Sequence, residues 1–350
     1  MQQINYTARI FLILVVAFLF KPNSSSADYG VRDPGYFNSR SVMGQSSSLL
    51  IKGMGGACLA MENLVDSMPC NPAFVSKEKN PRLLGNLMIS NGYDNLDKVR
   101  ILLNQKPGLD SARSLLQGKQ PLDIEFQSGV TFFSNKLNGM YQMGHSQLYS
   151  NMVGDVNPNI QLMTYSGENL VLQWGNEFQP NIFFGLTGRY SNIKFINKSF
   201  QLFDVATEEG KNLLDPVTRS FVSFDTGFGY KTSNFTFSYL IRGFSEPQIE
   251  ALGLGEPDHQ VGLVYTPMND IDAGKIDLLL DFKKKLVNAG IKYEYGVMSL
   301  VGGLNDYGSS AGMFFFIKKM FSGIVFSNTH LPWKKNESVN SVFTQFGIQI

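Results

Sequence analysis

The chain has 350 residues, a formal net charge of +1, 43% hydrophobic and 13% aromatic residues, and a slightly negative mean hydropathy. A near-neutral charge balance gives no footing for a nucleic-acid partner. A bundle of membrane helices is also disfavoured, because each span needs about 20 apolar residues.

In chain order, the first element is an export signal. Arg9 closes a weakly basic start and Ile10–Phe20 forms an apolar core too short to span a bilayer. Small residues follow at Ser24–Ala27, with Ser25 and Ala27 in the −3 and −1 positions, so residues 1–27 are expected to be a signal peptide cleaved after Ala27. No cysteine lies near that point, which argues against a lipid-anchored form, and no later segment reads as a transmembrane helix. Residues 28–80 form the N-terminal segment: a Gly/Ser-rich stretch, Asp28–Ser48, then Gly53-Met54-Gly55-Gly56-Ala57, a short helix expected across Leu59–Asp66, and the breaker Asn71-Pro72-Ala73. Cys58 and Cys70, the only cysteines, leave two readings open: a disulfide closing a short loop in an oxidising compartment, or two unpaired thiols. Leu83–Ser90 is a first candidate strand. Within 94–118, Leu96, Val99, Leu102 and Leu103, then Leu109, Ala112, Leu115 and Leu116, recur at helical spacing on either side of Pro107-Gly108. This predicts a helical insertion packed over one barrel mouth, with a gate or docking element as the sharper alternative.

From residue 121 onward, apolar and polar residues alternate over segments of about ten residues, the period of a strand with two unlike faces. In Asn234–Phe244, Phe235, Phe237, Tyr239 and Ile241 share one face, with Thr236, Ser238, Leu240 and Arg242 on the other. Ile276, Leu278, Leu280 and Phe282 oppose Asp277, Asp281 and Lys283; Ala289, Ile291, Tyr293 and Tyr295 oppose Asn288, Lys292 and Glu294. Slipping either strand by one residue would place several charges in lipid, which fixes the register. Candidate strands cover 121–134, 139–150, 158–166, 169–178, 182–203, 219–232, 234–244, 258–268, 276–285, 287–295, 297–305, 310–319, 321–329 and 339–350. Turns are expected at Asn135–Gly139, Gly167-Glu168-Asn169 and Thr232-Ser233-Asn234. With Leu83–Ser90 the count is fifteen, whereas single-chain bacterial barrels have even numbers. One candidate is therefore miscounted, or the first belongs to the N-terminal segment. With the C-terminus in the periplasm, the long connections 204–217, 245–257 and 330–338 all fall outside. Phe346-Gly347-Ile348-Gln349-Ile350 resembles the terminal assembly signal of outer-membrane barrels, with Ile350 where an aromatic residue is usual. The reading is an all-β transmembrane antiparallel barrel (81–350) of about 14 strands, in contact with membrane lipid.

Gly53, Gly55, Gly56 and Ala57, followed by Asp66-Ser67 and by Asn71, Pro72 and Ala73, resemble the N-terminal hatch of the outer-membrane long-chain fatty-acid transporter family. Relatives of that family include hydrocarbon channels and barrels attached to secretion or conjugation systems. The resemblance covers about twenty residues directly and the rest of the chain by architecture. It implies a plug inside a fourteen-strand barrel, passive uptake of a hydrophobic small molecule, capture at an outer groove, release through a wall opening at a strand kink, and residence in the outer membrane of a Gram-negative bacterium. A non-transporting barrel that serves a secretion, conjugation or surface-assembly system is the alternative. A porin is a third, which a plug argues against. Gly185 with Gly188, or Gly227 with Gly229, mark either a weak wall or barrel curvature.

No chemistry of an enzyme stands out. His145 and Ser146 are adjacent in a strand and face opposite sides, which is wrong for a dyad. Asp258-His259 reads as a rim, and His330 as part of an outer loop. Neither the histidines nor the two cysteines have metal-ligand spacing, no cofactor motif occurs, and we expect no catalytic or metal site. Lys283-Lys284-Lys285 reads as a rim cluster at lipid head groups. Asp123, Glu125, Asp225, Arg242 and Glu294 are expected to fill the lumen as ion pairs rather than line a wet path.

Overall fold

The structure is a computed structural model that describes residues 48–78, 81–91, 96–104, 122–153, 159–201, 203–204, 212, 214–249, 254–255, 257–270, 272–283, 286–331 and 334–350. The expected signal peptide, most of the Gly/Ser-rich stretch and the second helical block of the insertion lie outside the described residues.

Fourteen strands close into one antiparallel ring. They are β1 (Arg82–Ser90), β2 (Leu122–Phe133), β3 (Leu137–Val153), β4 (Asn159–Gln179), β5 (Ile182–Gln201), β6 (Val217–Lys231), β7 (Phe235–Phe244), β8 (Asp258–Asp270), β9 (Gly274–Lys283), β10 (Leu286–Tyr295), β11 (Met298–Asn305), β12 (Gly308–Ile317), β13 (Met320–Leu331) and β14 (Lys334–Gln349). Each pairs with its sequence neighbours, and β1 closes the ring by pairing with both β2 and β14. The candidate at 83–90 is thus a wall strand. The count of fifteen came from splitting β4 at Gly167-Glu168-Asn169. Those residues are not a turn: Gly167 pairs with His145 and Ile193, Glu168 with Asn192, and Asn169 with Gln142 and Ser191. Asn169 is buried and donates to Gln142 Oε1. A polar triplet can sit mid-strand here because the inner face of a barrel accepts polar groups.

Six connections at one end have only two or three residues: 134–136, 180–181, 232–234, 271–273, 296–297 and 318–319. The other end carries the long ones at 91–121, 202–216 and 245–257. Short periplasmic turns and longer outer loops are the asymmetry of outer-membrane barrels. The connection expected at 330–338 is instead continued ladder, with His330 opposite Ser338 and Leu331 opposite Lys334.

Alternation holds on both faces. Leu170, Leu172, Trp174 and Phe178 of β4 point outward and are exposed, as are Leu186 and Tyr190 of β5, Leu278 of β9, Ile291 of β10 and Met313 and Phe315 of β12. Between them, Gln173, Thr187, Asp277, Asp281, Asn288 and Lys292 are buried on the inner face. The outward apolar stretch Leu170–Phe178 is nine residues long, close to the roughly 9–11 that a tilted strand needs to cross hydrocarbon. Rings gather at the short-turn end, where Phe132, Phe178, Tyr230, Phe235 and Tyr295 are exposed, consistent with an interfacial aromatic girdle.

Beyond this belt β3, β4 and β5 project as a taller wall. Ile160, Leu162, Ile196 and Phe200 lie there on the outward face yet are buried. Helix α1 is Leu49–Gly53, and helix α2 is Leu96–Asn104. Helix α2 packs against β3, β4 and β5 with Leu102 and Leu103 buried, and Lys194 Nζ donates to Asn104 Oδ1 at 3.0 Å. Because Lys194 belongs to the outward face, the helix flanks the projecting wall rather than capping the mouth. An apolar face raised above lipid needs a cover, and the amphipathic helix supplies it.

Replacing outward Leu172 with Lys should cost about 2–4 kcal/mol, whereas Lys at outward Ser220, above the belt, should cost about 0–1 kcal/mol. Denaturant unfolding of the barrel in lipid vesicles measures both. Equal costs would mean that the belt does not face hydrocarbon.

Candidate functional site

Segment 48–78 lies inside the ring and touches most of its circumference. It starts with α1, whose exposed N–H groups all find partners. Ser48 caps the helix by accepting from the Ile51 N–H, Leu49 donates to Gln345 Oε1 of β14, and Leu50 donates to Asp66 Oδ2. Satisfying these amides is what lets a five-residue helix persist in a buried place. Lys52 Nζ meets Glu125 Oε2 of β2 at 2.8 Å. No helix forms over Leu59–Asp66, the position expected from the sequence. That stretch is irregular, and its start is tied to the wall: Asp281 of β9 accepts from the Cys58 and Leu59 N–H groups at 2.7 and 3.0 Å.

The glycine-rich motif is a turn clamped by wall side chains. Gly55 and Gly56 have φ of 65° and 89°, a region that other residues seldom enter. Asn305 donates to Gly55 O, Lys283 and Asn288 reach Gly56 O, and Ser310 donates to Lys52 O and Gly53 O. Lys283 is therefore a lumen residue, not part of a rim cluster. Ala57 is fully buried beside Gly290 of β10.

Asn71, Pro72 and Ala73 open a 3₁₀ turn, Pro72–Lys77. The Asn71 carbonyl oxygen caps it by accepting from the Ala73 N–H at 2.9 Å, while its amide donates to the backbone oxygens of Phe228 and Tyr239, at 3.2 and 3.1 Å. Phe228 and Tyr239 are opposite partners on β6 and β7. One side chain thus serves its own turn and two wall strands.

Two rows of wall glycines receive these motifs. Gly175, Gly185 and Gly227 are directly cross-paired on β4, β5 and β6. A Cβ on any of them would overlap Pro72 or Asn71. Gly290 and Gly303 are likewise paired on β10 and β11, and a Cβ on either would run into Met54. Gly229 faces Phe74, whereas Gly188 faces only Phe224. Neither a weak wall nor mere curvature describes Gly185 and Gly227: they make room for a backbone. The rows were missed because they emerge only once the register aligns strands far apart in sequence.

Cys58 and Cys70 form a disulfide with a Cα separation of 5.8 Å. It joins the arm held by β8–β14 to the arm seated on β4–β7. Within the loop it closes, Glu62 pairs with Lys231 of β6 at 2.7 Å. Just beside it, Arg82 at the start of β1 donates to Leu64 O and Val65 O and pairs with Glu78. Asp66 is fully buried. Burial pushes its carboxyl up to about 6, despite hydrogen bonds from Ser48 Oγ and the Leu50 N–H that favour the ionised form.

Nearer the long-loop end, the inner face changes character. Arg189 pairs with Asp225 at 2.7 Å and approaches Glu246 of the 245–257 connection at 3.6 Å; Arg242 lies in the field of Asp225, Glu246 and Asp258. Glu294 pairs with Lys292. Of the charges expected in the lumen, Glu125, Asp225 and Glu294 are each paired with a cation; the side chain of Asp123 lies outside the described ones. An apolar cluster adjoins them: Tyr165, Ile193 and Phe195 turn inward and meet Leu286, Tyr307 and, from the inward-folded connection, Ile249, with Phe221 and Leu254 alongside. Ile249 and Leu254 exchange backbone hydrogen bonds as a small hairpin.

The remaining candidates scatter. His259 is exposed, with Nδ1 against Tyr239 Oη at 2.5 Å; Ser146 Oγ lies 3.4 Å from Ser166 Oγ; and the side chains of His145 and His330 lie outside the described ones. Among the described residues no group of three or more His, Cys, Asp or Glu is placed to hold a metal.

No protein-family model matches the chain, and no curated protein matches it. Among solved structures, it is similar to the toluene transporter TodX of Pseudomonas putida at 8% identity, covering 86% of this chain and 96% of that one with a TM-score of 0.47. It is similar to a Pseudomonas aeruginosa FadL homologue at 9% identity, 87% and 97% coverage and a TM-score of 0.47. A third is the CymD monoaromatic hydrocarbon channel, at 8% identity, 86% and 96% coverage and a TM-score of 0.46. The fold itself rests on the strand register. That register and the belt outside it define a fourteen-strand antiparallel barrel of the transmembrane type, with segment 48–78 housed in its lumen.

Asn71→Ala should loosen the second arm by about 1–3 kcal/mol, because two wall oxygens and one amide lose their partner. Gly227→Val should loosen it at least as much by filling the seat. Limited proteolysis of the folded barrel measures release, and an unchanged cleavage rate in both variants would refute the seat. Asp66 binds its proton more tightly folded than unfolded, so its contribution is most favourable below about pH 4 and is lost as pH rises through about 6. Hydrogen exchange of segment 48–78 should accelerate across that window, and Asp66→Asn should flatten the dependence.

Proposed function

We propose that this barrel resides in the outer membrane of a Gram-negative bacterium and lets hydrophobic small molecules cross passively, with segment 28–80 as its plug. The observation that carries the reading is the apolar cluster turned into the lumen at the long-loop end. A water-filled channel keeps its lumen polar, whereas Tyr165, Ile193, Phe195 and Phe221 turn aromatic and aliphatic side chains into it as a packed cluster, the side-chain chemistry that lines sites for apolar ligands. The resemblance of the Gly53–Ala57 and Asn71–Ala73 motifs to a fatty-acid transporter hatch supports the same reading, and long-chain fatty acids are the first candidates. Outer-membrane assembly machinery is the expected partner at the terminal strand.

One observation favours the second reading, a non-transporting barrel serving a secretion, conjugation or surface-assembly system. The plug segment is clamped by wall groups from β1 round to β14, and a fixed plug suits an anchor better than a passage. Uptake of a labelled long-chain fatty acid and of a labelled uncharged hydrocarbon, in cells with and without the protein, separates the two. Phe195→Ala should slow uptake by roughly tenfold at limiting solute, the loss of about 1.4 kcal/mol of aromatic contact, while removal of 28–74 should also alter it. Uptake that is indifferent to loss of the whole protein would end the transport reading, and co-isolation of an envelope machine would then support the anchor.

A further inference from the structure

Both sulfurs of the Cys58–Cys70 bond are out of reach of any protein in the assembled barrel. Cys58 and Cys70 are 2% and 3% exposed. The Cys58 and Leu59 amides are held by Asp281 on β9, and the Pro69 oxygen next to Cys70 accepts from Gln173 on β4. Leu59 presses on Gly262 of β8. The bond therefore crosses the interior, with wall strands gripping the chain at each end of it. No other cysteine exists in the chain to relay it.

Making such a bond requires contact with an oxidant. A thiolate of the chain attacks one sulfur of an oxidant's disulfide and expels the other sulfur as a thiolate. The second cysteine then attacks the chain sulfur of the mixed disulfide, forming Cys58–Cys70 and releasing the oxidant as a dithiol. Two electrons and two protons leave the chain. The mixed disulfide needs a chain sulfur at the surface of another protein, in line with an incoming thiolate, and the filled lumen admits neither.

We infer that the chain is a substrate of a thiol-oxidising protein of the Cys-X-X-Cys disulfide class, and that this oxidation precedes seating of segment 48–78 and closure of the ring. The bond would preset the spacing of the two arms, so that one docking event brings both to their glycine rows. This inference stands on export of the chain and does not depend on transport.

The test is a pulse-chase of the full-length protein in cells, with free thiols trapped by a maleimide mass tag and folded barrel distinguished by its heat-modifiable migration. Disulfide should appear in unfolded chain before folded barrel accumulates, and cells lacking the thiol oxidant should accumulate reduced, unfolded chain. Purified folded barrel should lose the bond to dithiothreitol roughly 100-fold more slowly than unfolded chain, since exchange must await local opening. A folded barrel with two taggable thiols that oxidise later would overturn the inference, as would equal reduction rates for folded and unfolded protein. The variant Cys58→Ser with Cys70→Ser should fold at one rate with or without the oxidant. If that variant cannot fold, the reduction rates of the native chain still decide.

Discussion

A backbone that crosses lipid must satisfy every N–H and C=O within the protein, because hydrocarbon offers no partner. The rest of this molecule follows from that requirement. A sheet meets it only by closing, and closure here falls to the pairing of β1 with β14, Leu84 opposite Gln349 through Ser90 opposite Phe343. Once the ring closes, the two-residue period divides every strand into a side for lipid and a side for the interior. Leu278 and Ile291 then have no alternative to lipid, and Asp277 and Lys292 none to the lumen.

The interior so created is wider than its own side chains can fill, and what fills it must be anchored without a sheet of its own. The solution visible here is reciprocal. The segment offers backbone oxygens at Lys52, Gly53, Gly55 and Gly56, and the wall supplies donors at Ser310, Asn305, Lys283 and Asn288. Where the segment's backbone must come closest, the wall withdraws its side chains altogether, at Gly175, Gly185 and Gly227 and again at Gly290 and Gly303. Leaving a buried carbonyl unpaired costs about 1–3 kcal/mol, so these donors fix the path of an otherwise irregular chain. Packing alone would not choose among the many ways a loop could fill the same space.

The barrel was readable from sequence because its constraint is local: alternation can be counted residue by residue, and the registers of β7, β9 and β10 emerged with the expected sides outward. Elements whose cause is non-local were read less well. Gly167-Glu168-Asn169 has turn composition, and only its partners on β3 and β5 show that it is strand. Leu59–Asp66 was expected to be helical, but in the structure it is an irregular stretch tied at its start to Asp281, more than two hundred residues away. The glycine rows belong to the same class. Each glycine is unremarkable in its own strand, and only the cross-strand register of β4, β5 and β6 puts three of them side by side under Pro72. Asn71-Pro72-Ala73 was legible as a break, since a proline's effect on its neighbours is a local matter, while the cap that Asn71 forms and its two bonds to opposite strands were not.

Along the axis the interior is layered. The 3₁₀ turn and its neighbours occupy the short-turn end, paired charges such as Arg189 with Asp225 and Glu246 the middle, and an apolar cluster the long-loop end. In the charged middle Arg189 is buried against Asp225 and Glu246, and beyond it Tyr165, Ile193 and Phe195 are buried against one another and against Leu286 and Tyr307. The inward-folded connection ties these layers together, because Glu246 reaches Arg189 in the charged layer while Ile249 and Leu254 sit in the apolar one. Displacing that connection would uncover apolar surface and break an ion pair with little solvent access at the same time. One connection therefore couples the two layers: its acidic end is held by a wall arginine and its apolar end by wall aromatic and aliphatic side chains, so neither layer can rearrange without disturbing the other.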